Sequence, residues 1–160
     1  MKKRLILYRS KYGSTQEYVK ALAERIDGDY EVSDAQSFSG KIKDYDVIIL
    51  ASCTYMGRIL LTDFIKENQK ILKSRKTYLL IVGLVPQDKN ASIQSFESIP
   101  DIVRRNLIGY RKIPGRINSS RLNFFERMIL KMIKTKSDGL LDLSYIDKVV
   151  EDLNRYGVLA

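Results

Sequence analysis

Apolar runs and amphipathic stretches alternate along the chain. Short apolar runs predict buried strands over residues 4–9, 46–52 and 77–84. A more polar run over 30–35 predicts an edge strand, and 108–116, interrupted at Pro114 and Gly115, predicts a fifth. Helices are predicted between and after them, over residues 15–26, 60–72, 100–107, 124–134 and 144–156. The polar stretch 86–92 predicts a loop.

Strands that alternate with helices predict an α/β fold: a three-layer sandwich with a five-stranded parallel sheet and helices on both faces. Residues 1–160 are interpreted as one domain, because this length is typical of one and nothing in the sequence suggests a linker. Five strands suit the order 2-1-3-4-5. In that order ligands bind at the carboxyl ends of the strands, where the first and third strands meet. The loops after the first, third and fourth strands are therefore the candidate ligand loops.

The loop after the first strand is rich in hydroxyl groups and runs directly into a helix. Its residues are Ser10, Lys11, Tyr12, Gly13, Ser14 and Thr15. A helix start offers unpaired N–H groups and partial positive charge, which favour a phosphate, and a glycine lets the backbone approach it closely. The alternative is structural: Ser14 or Thr15 caps the helix, and Gly13 makes a turn.

Composition narrows the possible chemistry. The chain has one cysteine, Cys53, and no histidine, which excludes an internal disulfide, histidine-based catalysis, and cysteine-cluster or histidine metal centres. Cys53 is interpreted as a small packed residue rather than a redox centre. No apolar run is long enough for a membrane span or a signal peptide, so a cytoplasmic location is expected. Eight of the nine net positive charges fall within residues 101–136, which favours an anionic contact.

The segment 5–15, LILYRSKYGST, resembles the flavodoxin phosphate loop, Ser/Thr-x-Thr-Gly-x-Thr. Ser10, Gly13 and Thr15 match this pattern, and Tyr12 replaces the middle threonine. The loop resembles that of a flavodoxin-like subgroup that includes menaquinone-dependent protoporphyrinogen dehydrogenase. This resemblance implies a flavodoxin-like fold and noncovalent binding of FMN, with residues 10–15 around its phosphate.

The resemblance also implies roles for the other two loops. The loop after the third strand would border the isoalloxazine ring, with Tyr55 stacked on it and Met56 and Gly57 shaping its edge. The backbone of the loop after the fourth strand would approach the pyrimidine end of the ring. The candidate cofactor-binding residues in these two loops are Ser52, Cys53, Thr54, Tyr55, Met56, Gly57, Gly83, Leu84 and Val85.

The segment 115–133, GRINSSRLNFFERMILKMI, resembles the basic, aromatic-rich helix of the same dehydrogenase. Arg116 and Arg121 are candidates for meeting an anion, whereas the apolar residues of the segment fit a packed core equally well. Three functions stay open. The first is FMN-dependent electron transfer with a redox partner protein or a quinone. The second is menaquinone-dependent protoporphyrinogen dehydrogenase, with residues 101–136 at the inner, anionic membrane face. The third is a flavin-free binding module. No nucleic-acid partner is expected.

Overall fold

The computed structural model describes residues 2–116, 127 and 141–157. Within these residues the strands are β1 (Arg4–Arg9), β2 (Tyr30–Asp34), β3 (Val47–Tyr55), β4 (Arg58–Ile59), β5 (Lys76–Gly83) and β6 (Leu107–Pro114). The helices are α1 (Ser14–Arg25), α2 (Thr62–Glu67), α3 (Gln69–Leu72), α4 (Asn90–Glu97), α5 (Asp101–Arg104) and α6 (Tyr145–Arg155), with a 3-10 turn at Ile42–Asp44.

The parallel strands run in the order β2-β1-β3-β5-β6. Strand β4 lies outside this path and pairs antiparallel with the end of β3. The parallel strands therefore have the predicted order 2-1-3-4-5, and the predicted α/β fold is confirmed. The polar strand β2 lies at the edge, as its sequence indicates, while the apolar strand β3 lies at the centre with its first seven residues buried.

Two hydrophobic clusters cover the two faces of the sheet. On one face, α1 and α6 pack through residues such as Leu22 and Val149 against Ile49 of β3. On the other face, α2, α3 and α5 pack against the alternate residues of the same strands, as Ile65 and Leu50 show. Because successive side chains of a strand point to opposite faces, one apolar run in β3 supplies both clusters.

Helix α6 is fastened to the sheet by a polar contact inside its apolar face. Tyr78 of β5 donates a hydrogen bond of 2.7 Å from its hydroxyl to Oδ2 of Asp152, which is 6 % exposed. Arg111 of β6 binds the same carboxylate with two groups, Nε at 2.7 Å and Nη2 at 3.0 Å. Three elements thus meet at one carboxylate.

Three local predictions need correction, and one is not tested by the described residues. The helix predicted over 60–72 is two helices, α2 and α3, which meet at Asn68. The predicted loop 86–92 already contains the start of α4, and β3 continues past Ser52 to Tyr55, where it turns into β4. Of the helix predicted over 124–134 only residue 127 is described, so the described residues do not test it. None of the helices in the described part of the chain is long and apolar enough to cross a bilayer.

Candidate functional site

The ends of three neighbouring strands bring the candidate loops together. The register pairs Arg9 of β1 with Ser52 of β3, and Cys53 of β3 with Val82 of β5. We call the following segments the β1 loop (residues 10–15), the β3 loop (52–57) and the β5 loop (83–85). All three lie at the carboxyl edge of the sheet beside the β1–β3 switch point, where this class of fold binds ligands.

Ring contacts join the β1 loop to the β3 loop. The Nζ atom of Lys11 lies 4.0 Å from the centroid of the Tyr55 ring. The rings of Tyr12 and Tyr55 meet edge to face, with centroids 6.3 Å apart and an interplanar angle of 63°. A cation and two aromatic rings therefore lie between the two loops that sequence analysis assigns to the phosphate and the ring of one ligand.

The β1 loop turns sharply into α1. Gly13 has a φ of 95°, in the left-handed region that favours glycine, and it is the N-cap of the helix. Its N–H donates a hydrogen bond of 3.1 Å to Oγ of Ser10, which fixes the turn. No side chain among the described residues caps α1, and the first N–H groups of a helix have no partner within the helix. The capping role considered for Ser14 or Thr15 is therefore not what the structure shows.

The two hydroxyls that follow Gly13 are in different situations. Ser14 Oγ donates a hydrogen bond of 2.6 Å to the carbonyl of Arg116 and accepts one of 2.8 Å from the N–H of the same residue. Its hydroxyl proton is therefore used in a bond to the backbone. Thr15 is fully buried, and its Oγ1 has no hydrogen-bond partner among the described residues. A buried hydroxyl without a partner costs about 1–3 kcal/mol. An oxygen of the FMN phosphate would satisfy it, so the β1 loop fits the phosphate end of FMN.

Arg116 lies against the first turn of α1. Its Nη2 is 2.8 Å from Oε2 of Glu17, while Ser14 holds its backbone. The structure thus places this residue, a candidate for meeting an anion, next to the β1 loop across 102 positions of sequence. The other candidate of that kind, Arg121, lies outside the described residues.

The first half of the β3 loop is packed into the sheet. Ser52 is fully buried, and its Oγ accepts the N–H of Leu61 at 3.1 Å, which positions the start of α2. Cys53 is also buried. Burial raises the pKa of its thiol, although the N–H of Lys11 and the charge of Arg9 act in the opposite direction. In this structure Ser52 therefore holds the start of α2 by a hydrogen bond, and Cys53 is a packed side chain.

The second half of the β3 loop is an exposed hairpin turn. Tyr55 pairs with Arg58, and the two residues between them have positive φ, 49° at Met56 and 75° at Gly57. Positive φ at both central residues matches a type I′ turn, which joins antiparallel strands. Ser95 of α4 donates a hydrogen bond of 2.6 Å to the carbonyl of Gly57. Helix α4 therefore holds the turn in place through this hydrogen bond.

Helix α4 also supports the β5 loop. Ser92 Oγ donates to the carbonyl of Val85 at 3.0 Å and accepts a hydrogen bond of 2.6 Å from Nζ of Lys112. The backbone N–H of Lys112 donates to Oε1 of Gln87 at 2.9 Å. Leu84, between these contacts, is half-buried.

The side chains of Thr54 and Lys112 occupy the space that a side chain on Gly83 would need. A Cβ on Gly83 would lie 2.3 Å from Oγ1 of Thr54 and 2.9 Å from Cε of Lys112. The β3 and β5 loops are therefore in close contact at this point, and a side chain on residue 83 would have to displace Thr54 and Lys112.

Sequence reasoning missed Ser92, Ser95 and Lys112. The available signal was slight: two serines at helical spacing, and a lysine inside an otherwise apolar strand end.

A family model, described as a flavodoxin domain, matches residues 5–144. The chain therefore belongs to the flavodoxin family, and this membership supports FMN as its cofactor. No curated protein matches the chain.

Several solved structures share the fold. The Trp repressor binding protein of Bacillus subtilis has 14% identity and a TM-score of 0.54, over 85% of this chain and 100% of that one. The flavodoxin of Streptococcus pneumoniae TIGR4 has 14% identity and a TM-score of 0.51, over 81% and 97%. A flavoprotein of Lactobacillus acidophilus, solved in complex with FMN, has 16% identity and a TM-score of 0.50, over 70% and 93%. At these identities the likeness shows the fold alone.

Proposed function

We propose that this protein binds FMN at the carboxyl edge of its sheet and transfers electrons through it. The observation that carries the proposal is the hydroxyl of Thr15, fully buried and without a partner among the described residues, in the first turn of α1. Gly13 is the N-cap of the same helix, no described side chain caps it, and the start of a helix favours an anion. The Lactobacillus flavoprotein, which shares the fold, was solved with FMN bound.

The chain's own residues would bind and orient the flavin. The β1 loop would hold the phosphate through Ser10, Thr15 and the first N–H groups of α1. The β3 and β5 loops would border the ring, with Tyr55 as its aromatic neighbour. Bound FMN supplies the electron-accepting chemistry, so the site needs no acid–base residue of its own.

The test is an FMN titration followed by quenching of flavin fluorescence, with the variant Thr15→Val. Valine has nearly the same shape but no hydroxyl. We expect affinity for FMN to fall about 10- to 100-fold, because a hydrogen bond to a charged group contributes about 1.5–3 kcal/mol. Stability of the flavin-free protein should stay equal or rise, because the lost hydroxyl has no partner there.

Thr77→Val is the matched control. Thr77 is equally buried, but its Oγ1 donates to the carbonyl of Leu72 at 3.0 Å. This variant should lose about 1 kcal/mol of stability and keep its affinity for FMN. Gly13→Asp should abolish binding, because it places charge and bulk against the phosphate. A wild-type protein that stays colourless and does not quench FMN would contradict the proposal and favour the flavin-free module.

A finer proposal concerns the electron acceptor. We propose a membrane quinone, as in menaquinone-dependent protoporphyrinogen dehydrogenase, with a redox partner protein as the alternative. Its support is the concentration of positive charge in residues 101–136, of which only part is described. Reoxidation of the reduced protein by menaquinone, and oxidation of protoporphyrinogen coupled to it, would test this. Reoxidation by a protein acceptor alone would favour the alternative.

A further inference from the structure

Lys112 is a half-buried cation next to the β5 loop of the candidate site. It lies near the carboxyl end of β6, and its Nζ donates a hydrogen bond of 2.6 Å to Ser92 Oγ. Among the residues that the structure describes, no carboxylate forms an ion pair with it. Burial lowers the pKa of its ammonium group. Its neighbour Arg111, by contrast, is fully paired with Asp152.

The ammonium group lies close to Gly83, the first residue of the β5 loop. Its Nζ is 3.3 Å from the position that a Cβ on Gly83 would occupy, and Oγ1 of Thr54 is 2.3 Å from the same point. Through Ser92 it is also linked to the carbonyl of Val85. The positive charge is therefore held close to Gly83 of the β5 loop and Thr54 of the β3 loop, the two loops that border the ring in the proposed function.

We propose that Lys112 stabilises the reduced flavin and so raises the reduction potential of this protein. The inference rests on the proposed binding of FMN. Reduction adds negative charge to the ring, and nearby protein charge tunes this step. A cation that is partly shielded from water acts more strongly on such a charge than an exposed cation, which water and salt screen.

The experiment compares Lys112→Met with the wild type in two measurements: the affinity for oxidised FMN and the midpoint potential of the bound flavin. Methionine keeps most of the apolar stem and removes the charge. We expect the affinity for oxidised FMN to change less than about threefold. Affinity for reduced FMN should fall about tenfold, which lowers a two-electron potential by about 30 mV.

Three further variants separate charge from loop position. Lys112→Arg keeps a positive charge and should retain most of the wild-type potential, which also covers the case in which Lys112→Met does not fold. Ser92→Ala removes the hydrogen bond that holds the charge in place but keeps the charge, so it should lower the potential by less than Lys112→Met does. Lys89→Met removes an exposed cation from the segment that leads into α4 and should leave the potential unchanged.

The outcomes distinguish this inference from the proposed function. Wild-type protein that binds no FMN would overturn both. Wild-type protein that binds FMN, with Lys112→Met at the same potential, would overturn the role of Lys112 alone. A larger fall in potential in Ser92→Ala than in Lys112→Met would also overturn it.

Discussion

At the scale of single residues, Tyr55 is the proposed aromatic neighbour of the flavin ring. It is half-buried at the end of β3, with Lys11 over its face and Tyr12 at its edge. Tyr55→Ala should weaken FMN binding about three- to tenfold, because an aromatic pair contributes about 0.5–1.5 kcal/mol beyond the buried area. Fluorescence titration measures this loss.

The matched variant Tyr55→Phe keeps the ring and the cation contact but loses the hydroxyl. It should bind FMN almost as tightly as the wild type. Equal losses in both variants would mean that the hydroxyl matters rather than the ring. Unchanged affinity in Tyr55→Ala would remove this residue from the site.

At the scale of elements, Asp152 stabilises the packing of α6 on the sheet through its bonds to Tyr78 and Arg111. Asp152→Asn should destabilise the protein by about 3 kcal/mol, because it leaves Arg111 without its carboxylate and disturbs the hydrogen bond from Tyr78. Chemical denaturation measures this difference. Asp147→Asn is the control on the same helix: its ion pair with Arg25 is exposed, so it should cost less than about 1 kcal/mol.

The same carboxylate should make stability depend on pH. Burial opposes its ionisation, but the hydrogen bonds from Arg111 and Tyr78 outweigh burial and lower the pKa of Asp152. Because the folded-state pKa lies below the unfolded value of about 4, its contribution is complete above that pH. The contribution is lost as the pH falls through the folded-state pKa. In Asp152→Asn this part of the acid destabilisation should disappear.

The β3–β4 turn is a second element whose stability can be tested. Gly57→Ala should cost about 1 kcal/mol, because φ is 75° there and nothing lies within 4 Å of the new Cβ, so the cost comes from the backbone alone. Met56→Asn should stabilise the turn by up to about 1 kcal/mol, since Met56 is 68% exposed and asparagine tolerates positive φ. Urea denaturation of both variants checks this pair, and opposite signs are expected.

The elements that the sequence predicted correctly are those with clear apolar periodicity. Helix α4 was missed because its buried residues are Ser92 and Ser95, which bond to loop carbonyls instead of filling an apolar core. The break at Asn68 was missed because it depends on a side-chain bond of 2.9 Å from Nδ2 to the carbonyl of Phe64. The pattern of hydrophobic residues along the chain does not predict such hydrogen bonds.

At the scale of the whole molecule, topology explains why the place of the site could be predicted. The strand order alone brings the ends of β1, β3 and β5 to one edge, so the three loops could be assigned before any contact was known. Contacts between distant segments could not be assigned. Ser14 bonds to Arg116, and Lys112 reaches Ser92 across the sheet edge, because β6 lies beside β5 in space.

The distribution of charge is also a property of the whole molecule. In the described part of residues 101–136, most cations are paired within the protein: Arg104 and Arg105 with Asp101, Arg111 with Asp152, and Arg116 with Glu17. Four arginines share three carboxylates, so these pairs leave one net positive charge for a partner. The positive charge available for an anionic surface must therefore come mainly from later residues of the stretch.

This leads to a prediction for the proposed quinone acceptor. A protein that reaches a membrane quinone should sediment with vesicles of anionic lipid, not with neutral ones, and high salt should release it. Replacing Lys131, Lys134 and Lys136 by glutamine should weaken this binding about 100-fold, since each cation near an anionic surface contributes about 1 kcal/mol. The same replacement at Lys41, Lys43 and Lys73, which are exposed elsewhere on the chain, removes equal charge and should have little effect.

Equal losses in both triple variants would indicate nonspecific attraction by net charge. Absence of vesicle binding at low salt would contradict the membrane quinone and leave a redox partner protein as the acceptor.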